Sequence, residues 1–79
     1  MNNVDYNRLL ELKRQIDSKQ ADSNQKREYI ELLYRNGSIT EQQYQSYNRN
    51  QNADEIINAA LTIGGVLLAT WLISKLFEK

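Results

Sequence analysis

Ile56-Ile-Asn-Ala-Ala-Leu-Thr-Ile-Gly-Gly-Val-Leu-Leu-Ala-Thr-Trp-Leu-Ile-Ser74 is a run of nineteen residues without a single charge. Wound as an α-helix it measures about 28 Å, against the roughly 30 Å hydrocarbon core of a bilayer. Its polar members are Asn58, Thr62, Thr70 and Ser74. They fall only loosely on one side, whereas a helix lying flat on a membrane shows a strong charged face. A buried core helix needs a partner surface, and the mostly polar residues upstream are too few to wrap a helix that is apolar all round. The sequence therefore predicts one C-terminal transmembrane helix over about 55–77. Trp71 suits the aromatic belt near a membrane interface, and Lys75 and Lys79 are placed to snorkel to the headgroups.

Upstream, the charges cancel: residues 1–55 carry eight Lys and Arg against nine Asp and Glu, with the signs interspersed. A nucleic-acid module shows a basic excess or stripe, so no nucleic-acid partner is expected. Cysteine and histidine are both absent. That removes disulfides, thiolate nucleophiles, the usual zinc sites and histidine base catalysis. The remaining carboxylates form no defined pair, and no catalytic residue, cofactor, metal or small-molecule substrate is expected. The opening Met-Asn-Asn-Val-Asp-Tyr lacks the basic and apolar regions of a secretory signal.

The rest of the chain has helical rhythm. Val4, Leu9, Leu12 and Ile16, with Tyr6 and Leu10 beside them, predict an amphipathic helix over about 4–19. Residues 19–25 lose the rhythm. They suit either a turn, with Asp22 or Ser23 capping a second helix, or the exposed middle of one longer helix. Tyr29, Ile30, Leu32, Leu33 and Tyr34 give a broad apolar face over about 23–35. Asn36 or Gly37 is suited to the left-handed residue that closes that helix. Thr40-Glu-Gln-Gln43 then has the form of a capping box, with Ile39 ahead of it and Tyr44 behind, opening a helix over about 40–48. Residues 49–53 read as a polar linker, although a helix continuous with the apolar run is also compatible. Asp54 and Glu55 favour the positive end of a helix dipole. The expected organisation is a soluble helical hairpin at 1–48, a linker at 49–53 and an anchor at 54–79.

The run Tyr29-Ile-Glu-Leu-Leu-Tyr-Arg-Asn-Gly-Ser-Ile-Thr-Glu-Gln-Gln-Tyr44 resembles the bacterial SHOCT family (short C-terminal domain). The matching positions are Leu32, Leu33, Gly37, Ile39, Thr40, Glu41 and Tyr44. Two features depart from the pattern: an apolar helix follows the motif, and Gln42-Gln43 stand where an acidic pair is common. The resemblance implies a small helical interaction or oligomerisation element.

Two small-xxx-small pairs, Ala60 with Gly64 and Gly65 with Ala69, have the spacing that lets membrane helices approach closely. Leu9, Leu12, Ile16, Leu32, Leu33 and Tyr44 are the candidate interaction face of the arm. The partners expected are the lipid bilayer and either a second copy or another protein. Basic residues flank the run evenly, Arg35 and Arg49 on one side and Lys75 and Lys79 on the other. Orientation thus rests on the size of the polar arm, which favours leaving it in the cytoplasm. The expectation is a non-enzymatic, single-pass, tail-anchored membrane protein. The alternative is a membrane-active protein of the holin, phage-membrane or toxin kind, or a virion or envelope subunit.

Overall fold

The computed structural model describes residues 3–77, so Lys79 and the side chain of Val4 lie outside the description. Four α-helices follow in order: α1 (Asn3–Asp17), α2 (Ser23–Arg35), α3 (Glu41–Asn48) and α4 (Ala53–Leu76). The fold is all-α, and no strand occurs among the described residues.

Each of the first three helices ends in the same way. Lys19, Gly37 and Asn50 adopt positive φ (61°, 75° and 58°) just past the ends of α1, α2 and α3. In each case the next residue's N–H reaches back to a carbonyl in the last turn: Gln20 to Gln15 at 2.9 Å, Ser38 to Leu33 at 2.9 Å, Gln51 to Ser46 at 2.8 Å. Companion bonds run from Lys19 to Ile16, Gly37 to Tyr34 and Asn50 to Tyr47. This is the Schellman arrangement, which satisfies carbonyls that a helix end otherwise leaves orphaned. Gly37 suits the position because it has no Cβ to clash. Lys19 and Asn50 adopt the same conformation at some cost in backbone energy. The first break is therefore a turn, and α1 stops two residues before the expected end.

The starts are equally specific. Asp22 accepts from the Gln25 N–H at 2.8 Å while the Asp22 N–H donates to Gln25 Oε1 at 2.9 Å. Thr40 and Gln43 make the reciprocal pair at 3.1 and 2.9 Å. Both are complete capping boxes. The segment between α3 and α4 is a tight turn, with Asn52 as a second left-handed residue (φ 53°), so α3 and α4 are separate helices. Asn52 makes no side-chain cap, and Asp54 and Glu55 occupy the first turn of α4.

Packing is built around α2, which touches the other three helices, while α4 lies against α1, α2 and α3. The core comprises Leu9, Leu12 and Ile16 of α1, Tyr29, Ile30, Leu32 and Leu33 of α2, Ile39, and Ile57, Ala60, Leu68 and Trp71 of α4. Tyr34 and Tyr44 close the α2–α3 corner as stacked rings, 4.3 Å between centroids. Residues before α4 do not wrap it. They cover one of its sides and leave the other open. Ile57, Ala60, Leu68 and Trp71 on the covered side share one core with α1 and α2.

Candidate functional site

The buried side of α4 is a line of Ile57, Ala60, Gly64, Leu68 and Trp71, at steps of three or four that keep one helix face. Small residues at its centre let α2 come close. The Tyr29 hydroxyl, on a side chain with no exposure, donates to the Ala60 carbonyl at 2.8 Å. A Cβ placed on Gly64 would overlap Tyr29 Oη and lie 2.8 Å from Cζ. Gly64 is thus the notch into which Tyr29 fits. Burial pushes the Tyr29 phenol well above the ordinary tyrosine range, and the Asp17 carboxylate adds to the effect.

α1 runs antiparallel to α4 along the same seam. Tyr6 stacks on Trp71 (5.2 Å between centroids, planes 11° apart), and Lys75 Nζ stands 4.8 Å from the Trp71 ring centroid. Further along, Lys13 Cε lies 3.4 Å from where a Cβ on Gly65 would be. The Lys13 ammonium pairs with Asp17 at 2.7 Å. A two-pronged pair fastens α1 to α2: Arg8 Nε and Nη2 donate to Glu28 Oε2 and Oε1 at 2.6 and 2.8 Å. These bonds hold the Glu28 carboxyl below its usual range and raise the Arg8 guanidinium. Tyr47, half-buried beside the start of α4, is also pushed up, chiefly by burial.

The opposite side of α4 faces outward. Val66 is 64% exposed, Ile73 56%, Leu76 and Phe77 81% each. The hydroxyls on this side turn inward to their own helix: Thr70 Oγ1 donates to the Val66 carbonyl at 3.0 Å and Thr62 Oγ1 to the Asn58 carbonyl at 3.5 Å. Such back-bonding leaves no hydroxyl donor pointing outward from either threonine.

The residues singled out from sequence are distributed over this geometry. Ala60 and Gly64 are in the seam, Gly65 is half-buried at its edge and Ala69 is exposed. Trp71 is buried and Lys75 exposed above it. Leu9, Leu12, Ile16, Leu32 and Leu33 are core, and Tyr44 is half-buried on Tyr34. Sequence reasoning missed Tyr29 and Tyr6 as the aromatics that meet α4. An open cleft of about 630 Å³ lies where Ile16, Asp17 and Lys26 face Asp54, Ile57 and Asn58. It brings together no nucleophile and base.

No family model, no curated protein and no solved structure matches the chain. By length and composition, α4 is the one helix among the described residues fit to cross a membrane, with a mean hydropathy of 2.0 in its most apolar window. The packed seam and a membrane crossing exclude each other. Gly65 is the midpoint of the uncharged run, nine residues from Ile56 and nine from Ser74. If α1 stayed on α4 in a bilayer, Lys13 would lie at the centre, where a lysine costs about 2.5–3.5 kcal/mol, and Arg8, Glu11, Arg14 and Asp17 would add to that.

Proposed function

We propose that the chain is a small, non-enzymatic, single-pass membrane protein. α4 is the anchor, and the three preceding helices form a cytoplasmic arm for protein interaction or self-association. The observation that carries this reading is the outer side of α4. It bears large exposed apolar residues, no charge between Ile56 and Ser74, and two threonines tied back to their own helix. Trp71 and Lys75 stand at one end of the run, as at a lipid interface.

Magnitudes support an anchor that is also able to fold back. The nine Leu, Ile and Val residues of the run favour insertion by about 3–5 kcal/mol in sum. Burying Ile57, Leu68 and Trp71 in the seam is worth about 1.5–3 kcal/mol per side chain. The two are of the same order, so a bilayer competes with the seam for α4. Once α4 is in lipid, Leu9, Leu12 and Ile16 of α1 and Leu32 and Leu33 of α2 lose part of their shared core. With Tyr44 they are the face the arm offers a partner. The SHOCT-like run over 29–44 supports an interaction role, and the polar bulk of the arm supports its cytoplasmic side.

The test is fractionation of the full chain beside a version ending at Asn52, each washed with carbonate and then treated with protease from the cytoplasmic side. Carbonate-resistant full chain, loss of the arm to protease and a soluble truncation are expected. Release of the full chain by carbonate would refute the anchor and leave α4 as the core helix of a soluble assembly.

A further inference from the structure

The structure holds α4 in an arrangement that a bilayer forbids, and a specific lock holds it there. Resting on the anchor reading above, we propose that the α1–α2 hairpin is an intramolecular cover for α4. The chain has a closed, water-compatible form and opens when α4 transfers to a lipid surface. The cover is built from four contacts. Tyr29 sits in the Gly64 notch with its hydroxyl on the Ala60 carbonyl. Tyr6 stacks on Trp71, the Lys13 stem lies against Gly65, and Ile57 and Leu68 are buried in the shared core.

The cover is polar on its outer side. Glu11, Arg14 and Asp17 are exposed on α1, and the Arg8–Glu28 pair ties α1 to α2. The hairpin therefore lends α4 a water-compatible side and remains one unit when it lets go. α1 and α2 each end in their own Schellman turn and α2 starts in its own capping box, none of which uses a residue of α4. Beyond the cover, Leu72, Ile73, Leu76 and Phe77 are exposed even in the closed form. That apolar end meets a membrane first, and opening proceeds from Tyr6–Trp71 toward Ile57.

Two adjacent glycines supply a matched test. Gly64→Ala and Gly65→Ala add the same methyl group to the same turn of the same helix, with equal effects on hydropathy and helix propensity. Only the first collides with Tyr29, whose side chain has no exposure and whose hydroxyl is tied to the Ala60 carbonyl. At Gly65 the new methyl makes ordinary contact with the flexible Lys13 stem. The full-length chain is mixed with phosphatidylcholine–phosphatidylglycerol vesicles, and the carbonate-resistant fraction is followed in time. Gly64→Ala is expected to insert about ten-fold faster than Gly65→Ala, because overpacking acts on the closed form alone. Equal rates for both variants and the natural chain overturn the cover.

A second measurement stands if Gly64→Ala folds poorly. The chain has no cysteine, so Tyr6→Cys with Trp71→Cys can be joined by a short, cleavable bis-maleimide. The joined chain is expected to stay out of vesicles until the linker is cut; insertion while joined overturns the proposal. A urea-unfolded natural chain diluted into vesicles separates the two ideas. If even that chain fails to insert, the anchor reading falls and the cover falls with it. If it inserts while the glycine variants do not differ, the anchor stands and only the cover is lost.

Discussion

Replacing Tyr29 by Phe removes one oxygen from the seam and leaves the ring in place. The lost bond is a buried phenol to a backbone carbonyl, 2.8 Å long. Net hydrogen bonds of this kind contribute about 1 kcal/mol. The Ala60 carbonyl lies inside α4 and keeps its helical acceptor role, so the loss stays near that figure instead of rising to the penalty of an orphaned group. For a domain this small, 1 kcal/mol corresponds to a melting shift of about 4–8 °C. The same variant has an alkaline signature. The folded Tyr29 phenol ionises well above the ordinary range, because it is buried and faces Asp17. Below pH 10 the phenol is protonated in both folded and unfolded chains, and its full contribution is present. Above pH 10 the unfolded chain releases the proton while the folded chain keeps it. Stability then falls by about 1.4 kcal/mol per pH unit as the pH rises. Tyr29→Phe lacks that loss. The natural chain should be the more stable at pH 7, and the two melting curves should cross between about pH 10.5 and 11. Thermal unfolding followed by circular dichroism in detergent-free buffer measures both. Equal melting at pH 7, with parallel alkaline decline, would falsify the placement of Tyr29 against α4.

Leu12→Ala, at a side chain with no exposure, should cost about 2–5 kcal/mol in urea unfolding. A loss below 1 kcal/mol would contradict its place in the core. Asp22→Ala and Thr40→Ala should each lower stability by about 1 kcal/mol through a lost N-cap. Amide exchange confined to the first turns of α2 and α3 should rise in step, and unchanged exchange there would refute the capping boxes. A double-mutant cycle with Arg8→Met and Glu28→Gln should give a coupling of no more than about 1 kcal/mol, because both side chains are over a third exposed and screened by water. Glu28 is held below its usual range. Its contribution is therefore present above the unfolded carboxylate pKa and is lost as the pH falls through the folded one. A coupling that grows toward acid pH would overturn the assignment.

Helix ends were the most legible part of this chain, because their chemistry is local. Thr40 and Gln43 announce a capping box three residues apart, and Gly37 is the kind of residue a left-handed closure needs. Where the same closure falls on Lys19, the side chain says nothing, and the residues around it suited a turn and a continuous helix alike. Packing of α4 then selects the turn, since it is α1 folded back that covers α4. The spacing of Ala60 and Gly64 was legible as one that suits contact between membrane helices. What approaches was not, because Tyr29 is 31 residues from its acceptor Ala60 and no local pattern records such a pairing. Leu9, Leu12 and Ile16 were legible as one apolar face. Their cover, Ile57 and Leu68 included, comes from a run whose length and lack of charge read as lipid-facing, a test that a core helix also passes.

The stack of Tyr6 on Trp71 also makes the molecule its own gauge. Trp71 is the single tryptophan of the chain, so light absorbed by indole alone reports from one place, the meeting of α1 and α4. A phenol ring 5.2 Å away is close enough to hand its excitation to that indole, and an ammonium 4.8 Å from the ring centroid tunes its colour. Separation of the two helices removes the stacked ring from that indole and changes its surroundings, so the emission of the unlabelled protein reports on the seam.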